Sequence, residues 1–363
     1  MYATYKYRLF TNHIQDEALE GQLSEACLLY NAALQERRDA YTKRGVSINY
    51  YAQANQLKVI RQAGDCRLAN FSACQDVLRR VDKTFAAFFR RTKAGLKGGY
   101  PRFKSRQRFD SYTFPSYGDG CRLAGNRLYL QGVGHIKVKL HRPVDGVIKT
   151  ITIKRECGKW FACFNVEVQT TPLPDSANST GIDLGLMAFA TLADGTEIPN
   201  PRYAQRAQAR VRVAQRRIAR RKRGSKHYRE AVLLFQKAHA KIKRQRADFH
   251  HKTARKLVNT YGIIAIERLN VTALARSMLA KPINDAAWGG FLDILAQKAA
   301  EAGRTLIAVD PSGTSQTCLC GAPVPKLLRQ RVHQCSSCGL VAARDHVSAQ
   351  LILRQGLCLL AST

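Results

Sequence analysis

The 363-residue sequence has few acidic residues, with 26 Asp and Glu against 59 Lys and Arg, so its formal net charge is +33. It lacks any apolar run near the roughly 20 residues that span a bilayer. Residues 1–8 also lack the apolar core of a signal peptide. We therefore expect a cytoplasmic protein with no membrane partner. So large an excess of positive charge predicts a polyanionic partner, and nucleic acid is the commonest.

Motifs of several common enzyme classes are also absent. The sequence contains no Gly-x-x-x-x-Gly-Lys phosphate loop, no Gly-x-Ser-x-Gly elbow and no His-Glu-x-x-His metal motif. It has no internal repeat and no low-complexity tract. We therefore expect any catalytic site to be formed by residues that are distant in sequence.

The spacing of apolar residues changes along the chain and predicts an α+β multidomain protein. Residues 1–10 alternate like a strand, whereas residues 16–38 and 72–92 repeat at helical spacing. Residues 110–170 alternate again, which predicts an antiparallel sheet or small barrel with one basic face. After a linker rich in Pro and Ser, the pattern from residue 180 onward is strand, strand, long helices, strand, helix, strand.

Three acidic residues in the second half occupy positions that suit a metal-dependent nuclease. Asp183 lies between Gly181 and Gly185, Glu267 ends the apolar run 263–266, and Asp345 opens a helix predicted for residues 345–353. Carboxylates that converge on two Mg²⁺ ions about 4 Å apart are the ligands of two-metal phosphodiester hydrolysis. We therefore predict that Asp183, Glu267 and Asp345 are catalytic.

Each of these carboxylates also has a structural interpretation. Asp183 could stabilise its glycine-flanked turn, Glu267 could pair with Arg268, and Asp345 could be a helix N-cap. Asp310 ends another apolar run and is a rival for the third position. Pro311 follows it, however, which favours a role in a turn.

Four of the 11 cysteines are clustered. The other seven are interpreted as small buried apolar residues. The cluster is Cys-x-Cys, 14 intervening residues and Cys-x-x-Cys, with a glycine after each pair. Four thiolates suit one tetrahedral Zn²⁺, which predicts a structural zinc ribbon with His333 as an alternative ligand. The other interpretation is two structural thiols plus a redox pair. The predicted ligands are Cys318, Cys320, Cys335 and Cys338.

Residues 201–260 form a strongly basic segment that reads as two helices broken at residues 224–225. It holds 20 Lys or Arg but only two acids, Glu230 and Asp248. A solvated charged helix is the ordinary interpretation, but such helices usually mix both signs. The segment therefore predicts contact with phosphate backbones. The residues predicted to make it are Arg216, Arg217, Arg220, Arg221, Lys222 and Arg223.

The loop 100–109 interleaves aromatic residues with Arg and Lys. Surfaces that hold nucleic acid strands combine these residues for stacking and for phosphate pairing. The alternative is a loop that its own aromatics anchor. The predicted nucleic-acid-binding residues are Tyr100, Arg102, Phe103, Lys104 and Arg106.

Taken together, these motifs resemble the TnpB-type RNA-guided nucleases of prokaryotic insertion sequences, the OrfB transposase-associated family related to compact type V CRISPR effectors. The likeness runs in order along nearly the whole chain. The residues that carry it are Tyr30-Asn31-Ala32-Ala33-Leu34, Tyr100-Pro101-Arg102-Phe103-Lys104-Ser105, Gly181-Ile182-Asp183-Leu184-Gly185, Ile266-Glu267 with Leu269-Asn270, Thr314-Ser315-Gln316-Thr317-Cys318, and Cys335-Ser336-Ser337-Cys338-Gly339 leading to Arg344-Asp345.

The resemblance implies a domain layout and a set of partners. It implies a RuvC-like nuclease with an RNase H-type core, catalytic residues Asp183, Glu267 and Asp345, two catalytic Mg²⁺ ions and one structural Zn²⁺. It also implies a guide RNA from the transposon end, a double-stranded DNA target with a short flanking motif, and one protein monomer per RNA. The implied domains are a wedge β-barrel (1–10 and 100–178), an inserted helical recognition domain (11–99), the nuclease (179–314 and 342–363) and its inserted zinc ribbon (315–341).

The sequence departs from the family pattern at a few positions, and two other functions remain open. The first cysteine pair is one residue short, and Arg268, Ala343 and Val347 replace residues that are usual in the family. One alternative is a nuclease-silent RNA-guided repressor. The other is a DNA transposase that performs strand transfer with a similar carboxylate core.

Overall fold

The computed structural model describes residues 1–327 and 330–362, so two residues of the predicted zinc ribbon and the last residue lie outside it. The chain divides into two compact units, residues 1–169 and 170–363. The finer domain boundaries remain predictions. No helix in the described ranges combines the length and apolar character needed to cross a membrane.

Seven antiparallel strands form the sheet of residues 1–169, in the order β2-β6-β7-β1-β5-β4-β3. The predicted antiparallel sheet is therefore confirmed. The strands β2 and β3 lie at its two edges, so within residues 1–169 no pairing between strands closes the sheet into the small barrel that was the alternative prediction. The strands are β1 (Tyr2–Phe10), β2 (Ser111–Phe114), β3 (Cys121–Ala124), β4 (Arg127–Leu130), β5 (Gly134–Lys139), β6 (Val147–Glu156) and β7 (Lys159–Glu167).

Three helices follow β1 and share one apolar core with this sheet. They are α1 (His13–Arg44), α2 (Tyr50–Gln62) and α3 (Phe71–Lys93). Each begins after an asparagine, residue 12, 49 or 70, whose side chain accepts a hydrogen bond from a backbone N–H of the first turn. The sequence pattern predicted α1 and α3 but missed α2, which buries only Gln53 and Leu57.

A five-stranded mixed sheet is the centre of the second unit, in the order β10-β9-β8-β11-β12. The three strands β8, β11 and β12 are parallel to one another, so their carboxyl ends meet at one edge. The turn at Asp194-Gly195 follows β9, as predicted. The strands are β8 (Ser179–Leu184), β9 (Ala188–Leu192), β10 (Glu197–Pro199), β11 (Ile263–Glu267) and β12 (Thr305–Val309).

Helices cover both faces of this sheet. One face packs into a core with α5 and α8, around Phe189, Phe291 and Ile264. The basic segment forms two helices separated at residues 224–225, as predicted, because Ser225 is the N-cap of α5. The helices that precede the cysteine-containing segment are α4 (Tyr203–Ala219), α5 (Lys226–Thr260), α6 (Val271–Leu274), α7 (Ala280–Ala286) and α8 (Trp288–Glu301).

The opposite face of the sheet is covered by the last helix, α9 (Arg344–Ala361). The predicted end of this helix at residue 353 was wrong, because the helix continues past Gly356. A Cβ at Gly356 would lie 2.6 Å from the Cβ of Ala265 on β11. This glycine therefore permits close packing of the helix on the strand and does not end the helix.

The cysteine-containing segment precedes α9 and ends in a small hairpin. Its strands are β13 (Val332–Gln334) and β14 (Val341–Ala343), with Val332 paired to Ala343. Because α9 begins at the residue after β14, the hairpin leads directly into the helix that carries Asp345.

Candidate functional site

Asp183 and Glu267 lie side by side on neighbouring strands. Ile182 of β8 pairs in parallel register with Ile266 of β11, and the two acids are the next residues on these strands. Since side chains alternate along a strand, both acids share the sheet face of Gly181 and its partner Ala265. That face is the one covered by α9.

Asp345 reaches the same face from the first turn of α9. The positive end of a helix dipole favours a carboxylate there. The carboxylate is also paired with Arg344, whose Nε and Nη2 lie 3.0 and 2.9 Å from Oδ1. Arg331 Nη1 lies 3.9 Å from Oδ2. The N-cap of α9 is Ala343 and makes no side-chain capping bond, so Asp345 is not the N-cap that was considered as its structural role.

The pKa of Asp183 is affected by the charges of the other two acids. Its pKa is raised to about 7, first by burial and then by the negative charges of Glu267 and Asp345. The positive charges of Arg344 and Arg331 lower the pKa by less. Asp183 therefore lies within electrostatic range of Glu267 and Asp345, although all three are far apart in sequence.

Glu267 is held by a threonine that the sequence reasoning missed. The buried Thr314 hydroxyl donates a hydrogen bond to Glu267 Oε1 and lies 3.1 Å from the carbonyl oxygen of Pro311. Burial raises the pKa of Glu267, and the Thr314 hydrogen bond lowers it by less. Arg268, the partner considered for Glu267, instead donates to the carbonyl oxygen of Ala308 at 3.5 Å.

These carboxyl groups fit a cation. Burial and the neighbouring negative charges disfavour the charged form of Asp183, and burial disfavours that of Glu267. A divalent ion bound beside them would offset these effects. Asp310, the rival third acid, accepts a hydrogen bond from the backbone N–H of Ser312 at 2.7 Å. It therefore has the turn role that Pro311 indicated.

The four clustered cysteines meet in space with metal-site geometry. Their sulfur atoms all lie within 4.8 Å of one another. The Sγ atoms of Cys318 and Cys338 are 3.6 Å apart, and those of Cys320 and Cys335 are 3.7 Å apart. A tetrahedral Zn²⁺ with Zn–S bonds of about 2.3 Å requires sulfur atoms about 3.8 Å apart. The short Cys-x-Cys pair therefore does not prevent a four-sulfur site.

Backbone turns hold the two cysteine pairs in this arrangement. The backbone N–H groups of Gly321 and Gly339 donate to the carbonyl oxygens of Cys318 and Cys335 at 2.9 and 3.0 Å. Both glycines have positive φ, +89° and +75°, a conformation that other residues rarely adopt. His333, the alternative ligand, is buried beside Lys326 and does not belong to the sulfur cluster.

The predicted basic residues lie at the end of α4 and in the connection to α5. Arg216, Arg217, Arg220 and Arg221 line one shallow, open depression with Val213. All four arginines are exposed, so their side chains remain available to a partner. Lys222 and Arg223 follow in the exposed connection.

The structure shows the anchoring role that was considered for the loop 100–109. Tyr100 packs edge-on against Phe85 and Phe88, with ring centroids 5.8 and 5.5 Å apart. Phe109 is buried against Tyr30. These aromatics anchor the loop, whereas Arg102, Phe103 and Arg106 are exposed.

Lys104 of the same loop is tied to α1 through the Tyr30-Asn31 motif. Its backbone N–H and C=O bond to the Asn31 side chain, both at 2.9 Å. Its Nζ lies 4.8 Å from the Tyr30 ring centroid, a cation–π contact. The motif therefore positions the loop on the helix, and the nucleic acid contacts of the loop remain predictions.

Protein-family profiles match three parts of the chain. A profile described as "Probable transposase" (OrfB_IS605) matches residues 163–278, and a "Cas12f1-like, TNB domain" profile matches residues 288–352. A third profile, described as "Helix-turn-helix domain", matches residues 1–45. In this structure those residues form one strand and one long helix.

Full-length relatives and solved structures are also similar to the chain. The "Putative RNA-guided DNA endonuclease" of Streptomyces pristinaespiralis is 30% identical, over 97% of this chain and 89% of the relative. The Escherichia coli K12 protein named "Putative RNA-guided DNA endonuclease InsQ" is 28% identical, over 96% and 90%.

Among solved structures, the Cas12f1 chain of a Cas12f1-sgRNA-target DNA complex has a TM-score of 0.61 at 16% identity, over 94% of this chain and 83% of that one. The mini-RNA-guided endonuclease CRISPR-Cas_phi3 has a TM-score of 0.53 at 8% identity, over 98% and 92%. At these identities the two structures establish a shared fold, whereas the full-length relatives establish descent. The chain belongs to the TnpB-type, OrfB family of insertion-sequence proteins.

Proposed function

We propose that the protein is an RNA-guided DNA endonuclease of an insertion sequence, with a RuvC-like centre formed by Asp183, Glu267 and Asp345. Family membership supports the guided-nuclease function, because full-length relatives bear that name. The observation that supports this centre most is the neighbouring position of Asp183 and Glu267 at the carboxyl ends of β8 and β11. The effect of the Glu267 and Asp345 charges on the pKa of Asp183 adds the third acid.

The three carboxylates would hold two Mg²⁺ ions. When bound, such ions activate water and stabilise the leaving oxygen of a phosphodiester. The protein supplies a rigid frame for this chemistry. Thr314 fixes one oxygen of Glu267, and Arg344 fixes one oxygen of Asp345. The raised pKa of Asp183, about 7, means that this carboxyl is only partly ionised near neutral pH until a cation offsets the neighbouring charges.

The four cysteines would hold one structural Zn²⁺. Their sulfur spacing fits a closed tetrahedral site, with no position open for substrate. The hairpin β13–β14 connects the cysteine segment to α9. The Arg344 N–H at the start of α9 donates to the Arg331 carbonyl oxygen, next to β13, at 2.8 Å. Folding of the cysteine segment around zinc would therefore fix the start of α9, where Asp345 lies.

The guide RNA and the DNA target are the proposed partners. In RNA-guided recognition, base pairing reads the target sequence, whereas the protein reads backbone shape and a short flanking motif of the duplex. The exposed arginines at the end of α4 and those of the loop 100–109 suit phosphate backbones. We propose one protein monomer per RNA, acting on DNA in the prokaryotic cytoplasm.

Purification from a host that carries the native locus tests this function. Sequencing of the copurified RNA should recover transcripts of one transposon end. The RNA-bound protein should then cut a plasmid that contains the matching target, when Mg²⁺ and a library of flanking sequences are supplied. Copurification of no specific RNA would contradict the proposal.

Two other outcomes identify the alternative functions. Tight RNA-directed binding to DNA without cutting in Mg²⁺ would indicate a repressor. Joining of labelled transposon ends by the protein without RNA would indicate a transposase that performs strand transfer.

A further inference from the structure

A cavity of about 780 Å³ lies in the second unit, between the start of α4, the middle of α5 and the helix α7. Its volume is within the range of about 300–1,000 Å³ that is typical of small-ligand sites. None of the three acids lines it. It therefore differs from the proposed metal centre and needs its own explanation.

Two of the segments that form this cavity come after the catalytic strands in the chain. Leu186 and Met187 come just after Asp183 and the end of β8, and α7 comes after β11 and α6. In open α/β sheets, ligands bind in crevices outside the carboxyl ends of the strands. The chain path therefore places the cavity at the same sheet edge as the acids, but beside α5, on the face opposite to the one that α9 covers. A strand bound at both places would cross this edge.

The walls of the cavity combine apolar surface with planar and amide groups. Leu186, Val211 and Ile242 supply aliphatic surface, and the exposed His239 imidazole lies at the same wall. The remaining polar lining consists largely of amide and basic side chains. These include Gln205, Gln208, Asn284, Arg202 and Lys281. Such a lining offers stacking surfaces and hydrogen-bonding groups together.

Arg246 provides an unsatisfied donor in this lining. Its Nε is buried and has no hydrogen-bond partner within residues 1–327 and 330–362. The carboxylate that lines the cavity, Asp285, is already engaged. Its oxygens accept from the backbone N–H groups of Ala204 and Gln205 at 2.8 and 3.0 Å, and Oδ1 lies 3.6 Å from Arg246 Nη2. A ligand that accepts a hydrogen bond would satisfy the Nε group, since a buried donor without a partner is costly.

We propose that this cavity seats one nucleobase of the DNA strand presented to Asp183, Glu267 and Asp345. A base has apolar faces that stack on guanidinium and imidazole planes, and edges that amide groups and Arg246 can bond. Its phosphates would remain outside, near the exposed Arg202, Arg206 and Lys281. The excess of basic over acidic groups at the opening favours a nucleotide strand over an acidic or neutral peptide.

This inference rests on the proposed function. A photo-crosslinking experiment distinguishes failure of the proposed base-binding site from failure of the nuclease function. The full chain with its copurified RNA is incubated, without added Mg²⁺, with a single-stranded oligodeoxynucleotide that carries 4-thiothymidine. After irradiation, crosslinked peptides are mapped by mass spectrometry. We expect adducts in residues 186–187 or 239–246. Mapping on the unmodified protein does not depend on the folding of any variant.

Two substitutions by Trp give a pair of variants. Val211 lines the cavity, whereas Ala296 is exposed on α8 and does not line it. Val211→Trp should fill the cavity and reduce these crosslinks about tenfold, which corresponds to about 1.4 kcal/mol. Ala296→Trp should leave them unchanged.

The remaining outcomes overturn the proposal. In one outcome, DNA binds normally while its crosslinks map to other segments, and in another, folded Val211→Trp retains the crosslinks. Either result means that the cavity does not bind a base, and the nuclease proposal stands. If the RNA-bound protein binds no DNA at all, both the proposed function and the proposed base-binding site are wrong.

Discussion

Gly181 lies directly beneath the backbone of Ala349, so that a Cβ at residue 181 would come within 2.1 Å of the Ala349 carbonyl oxygen. The same Cβ would lie 2.6 Å from the backbone nitrogen of Leu353. The helix that carries Asp345 therefore rests on the strand that carries Asp183 because residue 181 has no side chain. The glycine sets the separation between two of the three acids.

Gly181→Ala should displace α9 from β8. Overpacking of this kind costs about 1–3 kcal/mol, so we expect a lower free energy of unfolding and loss of DNA cleavage. Thermal unfolding and a plasmid cleavage assay measure the two effects. Gly290→Ala is the control, because its Cβ would meet nothing within 4 Å and alanine favours the helix. Equal stability of the two variants would contradict this packing argument.

Asp183→Asn should change how stability depends on pH. In the folded protein the pKa of Asp183 is about 7, above its ordinary value of 3.8, so the folded state binds the proton more tightly than the unfolded state. Without divalent metal, stability should therefore fall as pH rises from about 4 to 7, by roughly 2–4 kcal/mol. The Asn variant should lose most of this dependence and should be the more stable protein at pH 8.

Unfolding by denaturant at several pH values, without added metal, measures this dependence. Asp310→Asn is the control, since Asp310 lies in the exposed turn after β12. An Asp183→Asn protein whose stability depends on pH as the parent's does would contradict this account. It would show that neither burial nor the neighbouring charges raise the pKa of Asp183.

Cys338→Ser should remove the zinc ion from the purified protein. Three sulfurs and a hydroxyl bind Zn²⁺ far more weakly than four thiolates. Elemental analysis should give about one zinc per parent chain and close to none in the variant. Cys358→Ser, an exposed cysteine outside the cluster, should keep the ion. Zinc retained in both variants, or absent from the parent, would refute the site.

Removal of the four arginines at the end of α4 should weaken nucleic acid binding and its dependence on salt. Each phosphate contact contributes a slope of about −0.9 in log K against log salt for duplex DNA. Replacement of Arg216, Arg217, Arg220 and Arg221 by Gln should reduce the slope by roughly 3–4 units. Replacement by Lys keeps the charge and should largely preserve the slope. Identical slopes for the Gln and Lys variants would mean that these residues do not contact phosphates.

The sequence predicted the elements that have a strong apolar period and missed those without one. Strands β11 and β12 are apolar runs, and α3 has a clear helical stripe. The helix α2 buries only Gln53 and Leu57, so its apolar residues did not form a recognisable stripe. The helix α9 was predicted to end at residue 353 but continues to Ala361. Gly356 packs closely against Ala265, and this contact with a residue far away in sequence is not visible in a local pattern.

The residues of the candidate site were likewise only partly predictable from the sequence. Residue type and local context selected Asp183, Glu267 and the four cysteines. Local context did not show that Thr314 would hold Glu267, or that Arg344 would pair with Asp345. It also could not decide between stacking and anchoring for Tyr100, which packs against Phe85 and Phe88. These contacts depend on tertiary structure.

The most direct measurement of the central claim is RNA-directed plasmid cleavage in Mg²⁺ by four single variants of the full-length complex. Asp183→Asn, Glu267→Gln and Asp345→Asn should each abolish cutting and leave RNA and DNA binding intact. Asp310→Asn should cut at the parental rate. Undiminished cleavage by the Asp183→Asn protein would contradict the claim that these three acids form one metal-dependent centre.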